Sequence, residues 1–212
     1  MICSALANMS FSDCLDAVKI LDFAEIRFDL LDLSKEEITA LFSANNNLIA
    51  TCRLGKYDNS ERKTLLLHAI DSGAAYVDIE VETGEAFKHD VVTAAREQHC
   101  QIIMSYHDFD RTPTQAELEH IVKWCSECKP DIIKIACMVR SARDNARLLG
   151  LLDTNRQMLV LGMGQQGKIT RVVSPLLGSM WTFASYATGS ETAPGQLFKD
   201  DLAQRIKEIQ QL

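Results

Sequence analysis

Lys134 lies within Ile132-Ile133-Lys134-Ile135-Ala136-Cys137-Met138-Val139, a run that otherwise reads as a fully buried strand. Lysine is among the residues least often wholly buried, and taking its ammonium out of water favours the neutral amine, the form that attacks a carbonyl carbon to give a Schiff base. The competing structural reading is a strand-end lysine that reaches solvent along its aliphatic stem. The second group is His107, in Ser105-Tyr106-His107-Asp108-Phe109. Imidazole is the side chain that moves protons near neutrality, although a lone histidine can also be a hydrogen-bonded core residue. Together the two residues predict chemistry beside a carbonyl. An iminium is a better electron sink than a ketone, so it acidifies the neighbouring C–H. His107 removes that proton and returns it to a leaving hydroxyl, which eliminates water.

Such residues need elements to hold them. Short apolar runs alternate with helical patterns along the whole chain. The strand candidates are Ile2 to Leu6, Ala24 to Leu30, Leu48 to Arg53, Tyr76 to Val81, Gln101 to His107, Ile132 to Val139, Met158 to Met163 and Trp181 to Tyr186. The helices expected after them are Ser10 to Leu21, Ser34 to Ser43, Ser60 to Asp71, Gly84 to Gln98, Thr114 to Cys128, Ser141 to Leu152, Lys168 to Leu177 and Gln196 to Leu212. Ser34-Lys-Glu-Glu and Thr114-Gln-Ala-Glu carry N-cap signals with acidic first turns. Eight β/α units without a Pro/Gly-rich linker predict one α/β domain over residues 1–212, a compact (β/α)8 TIM barrel, with an open doubly wound sheet as the alternative. In a barrel, strand parity sends Glu25, Arg27 and Asp29 inward, opposite Ala24, Ile26, Phe28 and Leu30. The same rule turns Thr51 and Arg53, Asp78, Glu80 and Glu82, Ser105 and His107, and Lys134 to the interior. A purely structural barrel would place Val, Ile and Leu there, so mixed charges predict a site for a polar ligand rather than a bare salt-bridge network.

The chain's 212 residues, 47% hydrophobic and 24% charged, suffice for a sizeable core, and a net charge of -7 without a basic cluster argues against a nucleic-acid partner. Met1-Ile2-Cys3-Ser4-Ala5-Leu6 lacks the flank of a secretory signal, and no apolar stretch is long enough to span a membrane, so a cytoplasmic setting is expected. Seven cysteines without regular spacing fit reduced thiols, with Cys125-x-x-Cys128 placed by helix packing. Gly162-Met-Gly164-Gln-Gln-Gly167 matches a dinucleotide fingerprint. Only one strand follows it, so these glycines are expected instead to let Arg171 and nearby backbone amides approach a bound anion. No cofactor and no metal is expected.

The short blocks Glu25-Ile-Arg27-Phe-Asp29, Thr51-Cys-Arg53, Tyr76-Val-Asp78-Ile-Glu80, Ser105-Tyr-His107-Asp-Phe109, Ile133-Lys134-Ile-Ala136, Met163 with Gly167-Lys-Ile-Thr-Arg171, and Ala193-Pro-Gly-Gln196 run in a recognisable order. In this the sequence resembles the type I 3-dehydroquinate dehydratases, (β/α)8 enzymes of the shikimate pathway leading to chorismate and the aromatic amino acids. The resemblance implies a hydro-lyase that converts 3-dehydroquinate to 3-dehydroshikimate and water, with Lys134 forming the imine and His107 as general acid/base. It further implies that Arg171 pairs with the substrate carboxylate, aided by Gln196 and Thr192, and that Glu25, Arg27 and Arg53, with Ser4, hold ring hydroxyls. A homodimer is possible. Where the family carries Glu-Gly-Gly after the third-strand arginine, this chain has Arg53-Leu-Gly-Lys-Tyr-Asp58, without the carboxylate that orients the histidine. Glu80 is the expected substitute and Asp58 the second choice. Thr192 stands where serine is usual, and the chain begins at the first strand, as a compact enzyme or as one module of a longer polypeptide would. Thr188 to Gln196 is expected to form a lid. The rival functions are a class I aldolase, disfavoured by the Glu-x-Arg and Ala-Pro-Gly-Gln segments, and a catalytically silent barrel that binds a small acid.

Overall fold

In the first turn of four helices the sequence supplies both halves of a capping box: Ser34 with Glu37, Asp58 with Glu61, Thr114 with Glu117, and Ser141 with Asp144. Each pair satisfies two backbone N–H groups that a helix start leaves without partners. The elements so begun alternate regularly in the computed structural model, which describes residues 1–187 and 189–211. Thr188 and Leu212, which bound the expected lid and the expected last helix, lie outside them.

The strands are β1 (Ile2–Leu6), β2 (Ala24–Arg27), β3 (Leu48–Thr51), β4 (Tyr76–Glu80), β5 (Gln101–Asp108), β6 (Ile132–Met138), β7 (Met158–Met163) and β8 (Thr182–Ser185). The helices are α1 (Phe11–Ile20), α2 (Lys35–Ala44), α3 (Asn59–Asp71), α4 (Glu85–Glu97), α5 (Gln115–Glu127), α6 (Ala142–Gly150), α7 (Lys168–Val173) and α8 (Lys199–Gln210), one after each strand. The strands follow the order β7-β6-β5-β4-β3-β2-β1-β8 in one sheet, so the chain has the expected (β/α)8 fold. Four ends differ from the sequence reading. β2 stops at Arg27, because Phe28–Leu30 winds into a 3-10 turn that carries Asp29. β3 ends at Thr51, so Arg53 is a loop residue. α7 gives way to a 3-10 turn over Ser174–Leu176 where Pro175 removes a donor. α8 starts at Lys199, which leaves Gln196 in the loop before it.

Two compact units make up the chain: Ala5–Ile103, and Met1–Ser4 with Met104–Leu212. In the first, β2, β3 and β4 pair in parallel, with Ala24 beside Leu48 and Thr51 beside Asp78. Ile26, Ile38, Leu41, Leu48, Ile49 and Ile79 are buried there, each worth about 1.5–3 kcal/mol of transfer free energy. In the second, β6 and β7 pair from Ile133 beside Met158 to Met138 beside Met163. Val172 of α7, Ala184 of β8 and Leu202 of α8 form a buried cluster, packed by Ile2, Leu197 and Ile206.

Candidate active site

Lys134 is the third residue of β6, only 4% exposed, and its Nζ stands 4.3 Å from the centre of the Phe183 ring on β8. An ammonium over an aromatic face is attracted by the ring's negative quadrupole, which gives the charged form a favourable contact inside the protein. The carbonyl of Phe183 accepts a hydrogen bond from Arg171 Nη1 at 3.4 Å, and the carbonyl of Pro194 one from Nη2 at 3.5 Å. Both bonds are at the long limit. Arg171 Nε is buried without a hydrogen-bond partner, and among the described residues no carboxylate pairs with the guanidinium. Burial pulls this group down to about 10, which still leaves it charged at neutral pH. A desolvated cation with poorly satisfied donors is costly until an anion meets it, and a planar guanidinium can offer a carboxylate two parallel hydrogen bonds.

Glycine geometry brings Arg171 to this position. The Gly162 N–H donates to Thr170 Oγ1 at 2.6 Å, and that hydroxyl donates to the Gly167 carbonyl at 2.8 Å, folding the start of α7 onto the end of β7. A Cβ on Gly162 would lie 2.9 Å from Gly167 Cα, and one on Gly167 would collide with the Gly162 carbonyl. Gly164 has φ 78°, and its N–H donates to the Pro194 carbonyl at 3.0 Å. The close approach is as expected, but the Gly162 and Gly164 amides are committed to protein oxygens, so it serves to place Arg171 rather than to offer those amides to an anion. Past Pro194, Gln196 Oε1 accepts from Thr192 N at 2.7 Å and from Thr192 Oγ1 at 3.2 Å.

His107 is half-buried near the end of β5, and its ring lies nearly parallel to that of Phe109, 6.1 Å away at 14°. The next turn is held firmly. Asp108 Oδ1 accepts from the N–H groups of Asp110 and Arg111, both at 2.9 Å, while Thr112 Oγ1 donates to the Met138 carbonyl at 2.7 Å. Ser4 is buried on β1.

In the other unit the charged residues compensate one another. Glu25 Oε1 accepts from Thr51 Oγ1 at 2.9 Å, and Arg27 forks onto Asp29 at 3.0 and 2.6 Å. Asp29 also accepts from the Arg53 N–H at 3.2 Å. Burial alone would raise the Asp29 carboxyl, but the hydrogen bond and charge of Arg27 outweigh it and hold the group below the usual range. Arg53 pairs with Asp78 at 2.7 Å and approaches Glu80 at 4.0 Å, while Arg62 binds the other Glu80 oxygen at 2.8 Å. Burial would lower the Arg53 guanidinium, yet Asp78 and Glu80 hold it above its ordinary value. Burial raises Glu82, with the charge of Glu80 adding to the effect. Asp58 caps α3, its Oδ1 accepting from Ser60 N at 2.8 Å and Glu61 N at 2.9 Å. Among the described residues no group of three His, Cys, Asp or Glu side chains could hold a metal ion, and no helix is long and apolar enough to cross a membrane.

A family model described as Type I 3-dehydroquinase matches residues 3–212. The chain belongs to this family. It is 35% identical over 225 residues to a 3-dehydroquinate dehydratase of Methanococcus maripaludis strain C5, covering 100% of this chain and 99% of the relative. A second relative, the 3-dehydroquinate dehydratase of Methanococcoides burtonii, is 33% identical over 222 residues, covering 97% and 93%. Among solved structures, the 3-dehydroquinate dehydratase of Geobacillus kaustophilus HTA426 superposes with a TM-score of 0.87 at 25% identity, over 99% of this chain and 91% of that one.

For this type I dehydroquinase the structure brings Lys134, Arg171 and the Thr192–Gln196 turn together around Phe183 and Pro194. It separately joins Arg53 to Asp78 and Glu80, and Arg27 to Asp29. Two participants escaped the sequence reading. Phe183 passed as strand filling, although it shares parity with Trp181 and Ser185. Arg62 passed as part of a polar helix face, yet it is 3% exposed, donates to the Cys52 carbonyl at 2.9 Å and lies over the Phe87 ring. A guanidinium's burial is not readable from local periodicity when its partners come from other elements.

Proposed function

We propose that this type I dehydroquinase converts 3-dehydroquinate to 3-dehydroshikimate and water through an imine on Lys134. The neutral Lys134 amine attacks the substrate ketone and, with loss of water, gives an iminium. His107 removes the proton from the adjacent carbon, and the electron pair passes into the iminium to form an enamine. The enamine then expels the β-hydroxyl, which leaves as water with the proton His107 returns. Hydrolysis of the conjugated iminium consumes one water, frees the product and restores the amine. The net change is loss of one water.

The observation that supports this reading most is the pairing of a buried lysine with a buried, carboxylate-free guanidinium on one residue, Phe183. A keto acid has the two groups such a pair would take: a carbonyl for Lys134 and a carboxylate for Arg171, assisted by Thr192 and Gln196. Ser4, Glu25, Arg27 and Arg53 are proposed to hold the ring hydroxyls, and Glu80 to act as the carboxylate that orients His107. The family match over residues 3–212 supports one catalytic domain drawn from both units. A place in the shikimate pathway, and a cytoplasmic setting in keeping with seven cysteine thiols, belong to the same reading.

Incubation with dehydroquinate and borohydride tests it. The expected result is a reduced adduct whose mass maps to Lys134. No adduct, with full activity kept by Lys134→Ala, would sink the mechanism.

A further inference from the structure

We infer that Phe183 is a positioning residue for this reaction: its ring carries the Lys134 nitrogen and its carbonyl carries Arg171, so one residue sets the span between the imine nitrogen and the carboxylate anchor. The inference rests on the imine reading of Lys134. Its basis is geometric. The Nζ lies 4.3 Å from the ring centre, inside the roughly 6 Å over which a cation and an aromatic face attract. The same residue's carbonyl accepts from Arg171 Nη1 at 3.4 Å.

Phe183 is itself held in place. It is 4% exposed, and the fully buried Trp181 stands beside it, ring centres 6.4 Å apart and tilted by 58°. Its strand neighbour Ala184 packs in the buried cluster with Val172, which follows Arg171 on α7. β8 and α7 are therefore locked side to side, and the Arg171 to Phe183 hydrogen bond crosses that joint. Lysine, by contrast, has a flexible four-carbon stem with many rotamers. A ring face that attracts its terminal nitrogen selects among them. The ketone and the carboxylate of a cyclic keto acid sit at a fixed separation, so the two protein groups must match it. A misplacement of about 1 Å can cost on the order of 10²-fold in rate.

The ring and the carbonyl can be tested apart, because a side-chain substitution leaves the backbone oxygen. In Phe183→Leu the rate of borohydride-trapped adduct formation on Lys134 at saturating dehydroquinate, and kcat with it, are expected to fall about 10- to 100-fold. KM should move less than about threefold, since Arg171 keeps its backbone acceptor. Phe183→Tyr, which restores an aromatic face, should recover most of the rate. A lower Tm with unchanged trapping rate and kcat would mean that Phe183 only fills space, and would overturn the inference. If Phe183→Leu does not fold, 3,5-difluoro- and pentafluorophenylalanine at position 183 keep the shape while draining the negative face. Trapping should then slow stepwise with fluorination, and equal rates across that series would overturn it as well. The contact has its own readout in the protein without substrate, a ring-current shift of the Lys134 ε-methylene that disappears in Phe183→Leu. If the unsubstituted enzyme gives no adduct while this shift is present, the imine reading has failed and the contact has not; absence of the shift overturns the positioning role directly.

Discussion

Arg171 is where the chemistry of one side chain and its surroundings meet most sharply. Its guanidinium is desolvated, its Nε lacks a hydrogen-bond partner, and its two other hydrogen bonds are long and go to neutral carbonyls. Nothing in its own surroundings repays the cost of that burial, so a carboxylate arriving there gains the full charge-assisted interaction, about 1.5–3 kcal/mol per hydrogen bond. Arg171→Gln is therefore expected to raise KM by about 10²-fold or more, with a smaller effect on kcat, in steady-state assays. Arg171→Lys should recover only part of the loss, since an ammonium cannot offer the parallel fork. His107 acts at a different point. In His107→Ala the borohydride adduct on Lys134 should still form, because imine formation needs the amine, while turnover falls by about 10²- to 10⁴-fold. Loss of the adduct in that variant would assign His107 to imine formation.

At the scale of single elements, the loop after β3 and the turn after β7 do different work. Asp58 begins α3 with two backbone hydrogen bonds and a reciprocal one from its own N–H to Glu61. Its carboxylate is spent on the helix, so Asp58→Asn is expected to leave the pH dependence of kcat as it is. Asp58→Ala should lower stability by about 1 kcal/mol in a denaturant titration. Glu80→Gln is expected to alter that pH dependence. The reverse result would make Asp58 the orienting carboxylate. On the other turn, Gly195 has φ 75° and a Cβ there would collide with the Gly164 carbonyl. Gly195→Ala must push apart the segment that supplies Pro194 to Arg171 and Gln196 to Thr192. Its KM should rise while the far-ultraviolet spectrum stays that of the unsubstituted protein.

For the whole molecule, the reduced thiols report on integrity. Cys3, Cys14, Cys52, Cys100, Cys125 and Cys137 are buried and Cys128 partly so. Burial pushes the thiols of Cys14, Cys52 and Cys137 up to about 12. A thiol raised in the folded state contributes stability that is complete below its ordinary value of 9.0 and is lost as pH climbs from there toward 12. Tm should therefore be flat in this respect below pH 9 and fall above it. Iodoacetamide at neutral pH should modify Cys128 before any other cysteine, and denaturant should open the rest; early labelling of Cys14, Cys52 or Cys137 in the native protein would contradict this packing.

The order of the eight units was legible because burying a strand between helices imposes local periodicity, and caps such as Ser34 and Thr114 mark where one pattern ends and the next begins. The catalytic pair was legible for a related reason: Lys134 in an apolar run violates a local rule, and such violations gather at sites. The family blocks carried the rest of the functional reading. Tertiary structure alone decided which charges meet. The sequence offered Glu80 as an inward carboxylate, but only the fold brings Arg62 from α3 onto one of its oxygens and Arg53 toward the other. It likewise gave Phe183 no distinction from other strand residues until β8, α7 and β6 placed Lys134 over its ring and Arg171 at its carbonyl. The physical reason is the same in both cases: periodicity is a property of neighbours along the chain, whereas ion pairing and cation–aromatic contact depend on distances between segments far apart in it.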